Sequence, residues 1–548
     1  MEEMFGWWVL KRVLPVGFLV FCVYMVLKVV DFLWWRPKRL QKQFAKQGIS
    51  GPAYRFFLGN VKEMVGLMDD ASSSSNKILH QYSHNIVPRV LAFYPHWNKI
   101  YGSSYLLWFG PTARLMISDP QLIREIFVSN SKSYDKYEAH PLVRQLEGEG
   151  LLSLTGAKWE HHRKVISPTF YMENLKLLIP FIGNSVMDVM AASASVSSTG
   201  EVEMDVSELF QSMTEDAITG TAFGVSYQQG KTVFRLQAKQ MVFASEAFRN
   251  VFIPGYRFLP TQKNMDSWRL EREINRSLVG LINARKQLKQ PTNEIQTMKT
   301  RKTAKDLLGL LIDASMSSTK MMTVKDVVEE CKSFFFAGKH TTSNLLTWAT
   351  VLLAMHPEWQ DKARDEVIQV CGTRDLPTGD NVAKLKTLAI ILNETLRLYP
   401  PSVATIRRAK VDVRLGGCYD IPKGTELLIP ILAVHHDPQL WGPDVHDFNP
   451  ERFVHGVARA TRHQNAFMPF GLGARTCVGR NFALLESKLT LAIILQRFSL
   501  RLSPSYVHAP KVLMLLYPQF GAPIIFRPLS SSPPHQKQPT ATSTSMRS

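Results

Sequence analysis

Hydrophobic positions along the chain fall into two regimes, one unbroken apolar block near the start and amphipathic periodicity through the rest. Residues Val13 to Leu27 are apolar apart from the Tyr24 hydroxyl, and the pattern runs on to Trp35, broken by Lys28 and Asp31. A bilayer core needs ~20 mostly apolar helical residues, so the block is long enough to span one. Lys28 can reach water on its long stem, whereas Asp31 cannot, which ends the apolar core before Asp31. Trp7 and Trp8 on one side and Trp34 and Trp35 on the other form aromatic belts. At helical rise the belts sit roughly 40 Å apart, close to headgroup-to-headgroup thickness. Basic residues are denser after the block than before it, where Glu2 and Glu3 offset Lys11 and Arg12, so the bulk of the chain is expected on the cytosolic side. A cleaved secretory signal would end in small residues rather than in tryptophans and basic groups.

The organisation this predicts is a short lumenal stretch over 1–12, a single transmembrane anchor over 13–35 and a basic, Gly-Pro linker over 36–52. A globular domain over 53–528 and a Ser/Pro/Thr-rich tail over 529–548 follow; the tail has too few apolar residues to pack. Polar patches at Ala71–Asn76, Ser193–Gly200 and Gln290–Lys305 are expected to be surface loops. Between them helical periodicity dominates. Val324 to His356 is apolar on most faces and too long for an average helix, so it is predicted to cross the interior. Leu385–Tyr399 and Asn481–Gln496 are further amphipathic helices, and short strands are predicted at Tyr105–Trp108, Arg114–Ile117, Val411–Leu415 and Glu426–Ile431. The expected fold is mainly α with a minor β sheet.

Charge and cysteine content narrow the function. The chain has 548 residues and a formal net charge of +19, which favours acidic partners. Its two basic stretches, Arg36–Lys46 and Arg285–Lys305, lack the interleaved aromatic residues of a nucleic-acid platform. The first adjoins the apolar block and fits lipid headgroups; the second fits a solvated loop. Five widely spaced cysteines make neither a disulfide framework nor a zinc pair, which fits a reducing compartment.

One cysteine stands in a context that carries chemistry. In Phe470-Gly471-Leu472-Gly473-Ala474-Arg475-Thr476-Cys477-Val478-Gly479, three glycines within ten residues let backbone approach a flat ligand closely. A helix N-terminus just beyond and Arg475 nearby favour the thiolate of Cys477, the form that binds iron. As a haem ligand a thiolate favours oxygen–oxygen cleavage. The paired histidines His161-His162 and His435-His436 invite a metal reading, but no carboxylate spacing supports it.

The segment resembles the haem-binding signature F-x-x-G-x-R-x-C-x-G of the cytochrome P450 superfamily, and further segments match in order. Glu394-Thr395-Leu396-Arg397 resembles the family's E-x-x-R pair and Pro450-Glu451-Arg452-Phe453 its partner. The resemblance implies a structural triad of Glu394, Arg397 and Arg452 beneath the haem loop. Trp159 and Arg163 match W-x-x-x-R, and four-residue spacing lets indole and guanidinium reach the haem propionates together. Arg475 is implied in the same work. Arg407, in the strand after the E-x-x-R helix, is the next candidate, ahead of Arg408.

Ala337-Gly338-Lys339-His340-Thr341-Thr342 resembles the oxygen-activation motif A-G-x-D/E-T-T. Ala337 and Gly338 would leave room above the iron, and the Thr341 hydroxyl would steer protons. His340 stands where the motif has an acid; a histidine can also relay protons, although a haem isomerase, which needs no such path, gains credibility. Finer likenesses at Gly51-Pro52-Ala53-Tyr54-Arg55, Gly59-Asn60, Trp34-Trp35-Arg36-Pro37, Phe252–Phe258 and Phe334–Lys339 point to a plant clan acting on isoprenoids and hormones. Within that clan the chain resembles the brassinosteroid-inactivating group, which hydroxylates the steroid side chain at its terminal carbon, carbon 26; cytokinin hydroxylases are the runner-up. The resemblance implies haem b, a flavoprotein NADPH-cytochrome reductase docking on a basic proximal face, a small apolar steroid-like substrate and residence in the endoplasmic reticulum membrane. A non-catalytic haem sensor is the rival from another class.

Overall fold

The computed structural model describes residues 2–73, 83–194, 200–223, 227–247, 258–288, 307–316 and 322–529. Helix α1 (Glu2–Val30) runs through one π-helical turn, Asp31–Trp35, into α2 (Arg36–Ala45). Pro15–Ala45 is long and apolar enough to cross a membrane, and its most apolar stretch buries nothing against protein. The first ten residues of the expected linker are therefore helical: Asp31 is paired with Arg39 at 2.7 Å, which neutralises the charge that interrupts the apolar pattern. The Tyr54 hydroxyl donates to the Leu33 carbonyl at 2.5 Å, and Trp34 packs against Tyr54 and Phe56.

The helices that build the site are α3 (Pro141–Glu147), α4 (Gly156–Ile166), α5 (Val206–Phe223), α6 (Tyr227–Ala247), α7 (Gln262–Leu288), α8 (Val324–Met355), α9 (Lys386–Leu398) and α10 (Arg480–Arg497). Helix α8 starts at a capping box, in which the Asp326 amide donates to the Thr323 hydroxyl and the Thr323 amide to the Asp326 carboxylate. It stops at Met355 because Pro357 pushes His356 out of the helical region, to φ −122° and ψ 77°. Leu345, Leu346, Trp348, Ala349, Val351, Leu352 and Leu353 are all buried, so α8 crosses the interior as its apolar pattern predicts.

The main sheet comprises β1 (Leu106–Phe109), β2 (Thr112–Met116), β3 (Tyr134–Lys136), β4 (Thr405–Ala409) and β5 (Glu426–Ile429), in the order β1-β2-β5-β4-β3. Only the β2–β5 pairing is parallel. Val413–Leu415 forms a separate hairpin with Tyr419–Ile421. A three-stranded sheet of Val202–Asp205, Pro523–Pro528 and Phe498–Leu502 has no counterpart in the sequence reading.

Two of the expected loops begin inside helices. Ala71–Ser73 close the helix Val61–Ser73, and Ser193–Ala194 close Ile179–Ala194. The rest of 71–76, residues 195–199, all of 290–305, the tail from 530 and residues 252–257 lie outside the described residues.

Candidate active site

The cysteine loop is held by its own backbone. The Cys477 amide donates to the Phe470 carbonyl at 2.8 Å and the Thr476 amide to the Gly473 carbonyl at 3.1 Å. Gly473 carries the strictest demand: its φ is +67°, and a Cβ there would lie 2.1 Å from the Phe127 carbonyl oxygen. Gly479 precedes the first turn of α10, so the amides that open this helix face the sulfur. Cys477 is solvent-accessible yet lies deep in the protein, so open space adjoins its sulfur. Burial pushes its thiol pKa up, while the Gly479 and Arg480 amides and the charges on Arg163 and Lys136 pull it down. Arg475, expected to favour the thiolate, is not among these groups. Its guanidinium stacks on Trp159 at 4.3 Å and donates to the Leu154 carbonyl at 3.0 Å.

Sheet register assembles the positive charge. Antiparallel pairing of β3 with β4 sets Lys136 directly opposite Arg407 and Asp135 opposite Arg408. Arg408 is exposed, with Glu138 as its ion-pair partner at 3.7 Å. Arg407 is buried, packs over the Phe127 ring at 4.4 Å and donates to the Ile406 carbonyl. The preference for Arg407 over Arg408 thus has a geometric cause: alternate residues of a strand face opposite sides. Lys136, absent from the sequence candidates, donates to the Leu152 carbonyl and is pushed down to about 8, chiefly by burial, with Glu147 opposing and Arg407 and Arg475 adding to the shift. Arg407 is pushed down to about 10 by burial and then by Arg475. Burial also lowers Arg163 and Arg475.

Among the described residues none of Lys136, Arg163, Arg407 and Arg475 forms an ion pair. Four partly or wholly buried cations without a carboxylate are costly unless an anion joins them. A flat iron porphyrin with two carboxylates, lying beside an accessible sulfur in a glycine-rich bend, fits both halves of this arrangement.

On the other wall, the Thr341 hydroxyl donates to the Ala337 carbonyl at 2.6 Å, one turn back. Ala337 and Thr341 are half-buried. Gly338 lies against α5: a Cβ there would meet Ile218 at 2.8 Å. Its smallness allows α5 to approach α8, an approach reinforced by the Lys339–Glu215 ion pair and by the Thr214 hydroxyl donating to the Lys339 carbonyl at 3.1 Å. The His340 ring lies 6.1 Å from Phe336. Burial and the Lys339 charge lower its pKa to about 4, so at neutral pH it is an uncharged imidazole with one donor and one acceptor nitrogen.

Helix α4, which carries Trp159 and Arg163, is tied to α8 by a buried His162–Glu330 contact of 2.5 Å. The other Glu330 oxygen accepts from the Leu151 amide at 3.0 Å, and Phe170 stacks on Phe334 at 5.7 Å. A second apolar cluster, separate from the main core, joins Leu142, Val143 and Leu146 of α3 to Ala244 and Ala247 of α6 and to Phe336 of α8, with Met514 packed against it. Apart from Phe336, which falls in the Phe334–Lys339 likeness, no motif marks these residues; their only sequence signal is apolarity.

The E-x-x-R residues come together as expected. Arg397 donates to both Glu394 oxygens at 2.8 and 2.7 Å, with both side chains fully buried. Arg452 reaches the same carboxylate at 3.4 Å and donates to Asp444 at 3.0 Å. Arg397 also donates to the Val445 carbonyl at 2.7 Å and the His435 carbonyl at 3.1 Å, while His435 accepts from the Met468 amide next to the cysteine loop.

A family model described as Cytochrome P450 matches residues 78–518. The chain is 60% identical over 523 residues to Cytochrome P450 734A6 of Oryza sativa subsp. japonica, covering 93% of this chain and 95% of the relative. It is 60% identical over 532 residues to Cytochrome P450 734A1 of Arabidopsis thaliana, covering 97% and 99%. Identity to Cytochrome P450 CYP72A616 of Paris polyphylla is 41% over 508 residues, covering 91% and 95%.

Proposed function

The chain belongs to the cytochrome P450 family, and from that premise we propose that it inactivates a brassinosteroid by hydroxylating the side chain at carbon 26, with further oxidation of the same carbon open to it. It is a reductase-dependent monooxygenase whose cofactor is haem b, with NADPH supplying electrons through a partner reductase, and its substrate is hydrophobic. The observation that carries the site assignment is the accessible Cys477 sulfur near Arg163 and Lys136, within a cluster of four cations that form no ion pair among the described residues.

In this reading Cys477 would hold the haem iron through its sulfur, with Phe470, Gly471 and Gly479 shaping its loop. Trp159, Arg163, Arg407, Arg475 and Lys136 hold the two propionates; Glu394, Arg397 and Arg452 lock the scaffold beneath. The bound haem supplies the activation of dioxygen and the insertion of one oxygen atom into an unactivated C–H bond. Thr341 exchanges its bond to the Ala337 carbonyl for one to incoming oxygen or water, and so holds a proton where it is needed. Neutral His340 hands protons on through its two nitrogens, in place of a carboxylate. The apolar cluster around Phe336, Leu142, Ala247 and Met514 excludes water and contacts the steroid.

The steroid assignment rests on the likeness to the brassinosteroid-inactivating group at Trp34–Pro37 and Phe334–Lys339. Helix α1 anchors the chain in a membrane; we place the anchor over 13–35, as a single pass in the endoplasmic reticulum with residues 53–528 on the cytosolic side. A reduced carbon-monoxide difference spectrum tests the ligand: a Soret band of thiolate type is expected, and Cys477→Ala should abolish it. A variant that keeps the band refutes the assignment. Incubation with reductase, NADPH and a panel of brassinosteroids and cytokinins, followed by mass spectrometry, tests the substrate. A carbon-26 hydroxysteroid is expected, and turnover of cytokinins alone refutes it.

A further inference from the structure

Where α8 packs against the C-terminal end of α9 lies a buried chain of aromatic and imidazole rings that the haem chemistry above does not use. Trp348 and Tyr399 are both fully buried and stack nearly parallel, with centroids 4.4 Å apart and planes 14° apart. The Tyr399 hydroxyl lies between two imidazoles, 2.7 Å from His84 Nδ1 and 3.1 Å from His508 Nε2. The Tyr506 hydroxyl lies 2.8 Å from His508 Nδ1. Beyond His84 the His356 ring follows at 5.8 Å, and His356 Nδ1 meets the exposed Glu358 carboxylate at 3.2 Å. His84 Nε2 and His356 Nε2 are both buried and have no hydrogen-bond partner among the described residues.

We propose that Tyr399 is a redox-active tyrosine that returns an electron to the haem site through Trp348 when an oxidising equivalent there finds no substrate. The proposal rests on the haem-enzyme reading. Trp348 follows Thr341 by seven residues on the same face of α8, two turns or about 10.5 Å along the axis. The indole N–H also reaches the Leu516 carbonyl at 3.5 Å, two residues beyond Met514 of the apolar wall. An indole stacked on a phenol is the most easily oxidised pair that side chains offer, and this one is shielded from water.

The step balances within the cluster. One electron leaves the Tyr399 phenol by way of Trp348, the O–H bond breaks, and the proton passes to His84 Nδ1. A neutral phenoxyl radical remains, and a cytosolic one-electron reductant of the ascorbate or thiol class restores electron and proton. Burial holds both flanking imidazoles uncharged, His84 down to about 3 and His508 to about 4, so each offers a lone pair. A phenol radical cation is a far stronger acid than even such an imidazolium. In the tautomer this step requires, His508 Nε2–H donates to the phenol oxygen and the phenol proton is directed at His84. His84 Nε2–H then faces outward along the route to His356 and Glu358.

The test uses the full-length, haem-loaded protein treated with hydrogen peroxide in the absence of substrate, frozen rapidly and examined by electron paramagnetic resonance. A tyrosine radical is expected, narrowed when ring-deuterated tyrosine is incorporated. Tyr399→Phe should remove it and Trp348→Phe should delay it, and both should bleach haem faster than wild type under peroxide. Should Tyr399→Phe fail to take up haem, the g-value serves instead: imidazole bonds lower it in wild type, and His84→Gln and His508→Gln should raise it. Absence of a tyrosine radical in wild type, a radical unchanged in Tyr399→Phe, or a g-value indifferent to both histidine variants overturns the proposal. The carbon-monoxide band reports on the haem-thiolate reading separately, so an enzyme with that band and no radical keeps the first assignment and loses this one.

Discussion

Replacing Lys136 by methionine separates the two demands placed on the cation cluster, because its effects with and without haem have opposite signs. Methionine keeps the length and apolar stem of lysine and removes only the charge. In the protein without haem, Lys136 is half-buried opposite Arg407, and its pKa falls from 10.5 to about 8. A shift of that size corresponds to on the order of 3 kcal/mol against the charged form. The variant without haem should therefore melt no lower than wild type, and higher below pH 8. The sign follows from linkage: both folded and unfolded Lys136 are protonated below pH 8, so the full penalty applies there and is released as pH rises from about 8 towards 10.5. With haem the balance reverses, because a propionate supplies the missing anion. Loss of one charge-assisted bond costs roughly 1.5–3 kcal/mol, which is roughly 10- to 150-fold in haem retention. Two assays read this, thermal melting of protein produced without haem and the rate of haem transfer to an excess of apomyoglobin. Wild-type haem affinity should also fall as pH rises above about 8, where binding must draw a proton onto Lys136. Unchanged haem loss together with a destabilised haem-free variant would refute the reasoning.

Arg397→Ala leaves Glu394 buried without its partner and strips donors from the Val445 and His435 carbonyls, so stability should fall by roughly 3–5 kcal/mol; chemical denaturation of the haem-free protein measures it, and a loss below about 1 kcal/mol contradicts the buried triad. Thr341→Ala should keep NADPH consumption while product per NADPH drops and hydrogen peroxide rises, and Thr341→Ser should restore much of the coupling; equal coupling in all three proteins would remove Thr341 from the proton path. Thr323→Ala removes the cap of α8 and should cost about 1 kcal/mol, read by thermal melting. Hydrogen bonds from Lys158 and Thr323 outweigh burial at Asp326 and hold its carboxyl at about 2, against an ordinary 3.8. That contribution is present above pH 3.8 and is lost as pH falls towards 2, so Asp326→Asn should flatten the acid limb of the melting profile.

The long-range features of the site differ sharply in how far the sequence betrays them. Helix α8 was legible almost to the residue, because an apolar run, a Thr-x-x-Asp start and a Pro two residues past the end are all local signals. Glu394 and Arg397 were legible because three-residue spacing on a helix is a contact in itself. The tight bend around Cys477 was legible through its glycines, whose purpose only the structure discloses: Gly473 avoids the Phe127 carbonyl contributed by a segment 346 positions earlier. Gly338 shows a failure of local reading: its close approach to Ile218 of α5 has no signal in the sequence.

Lys136 explains why such failures occur. Nothing in Tyr134-Asp135-Lys136 distinguishes this lysine from a solvated one, and its significance depends on a pairing between strands some 270 residues apart. A one-residue slip of β3 against β4 would reverse the faces, placing Lys136 in solvent beside exposed Arg408 and Asp135 opposite Arg407. Asp135 would then neutralise the arginine and remove half the reason for an anionic cofactor to bind there. The charge of the site is thus a property of register. The register in turn is fixed by residues with no chemistry of their own: buried Tyr134 facing Ala409, and Leu427 and Leu428 of β5 packed on the next strand. Apolar patterning sets the alignment, the alignment concentrates the cations, and in the proposed reading the cations hold a ligand with two carboxylates.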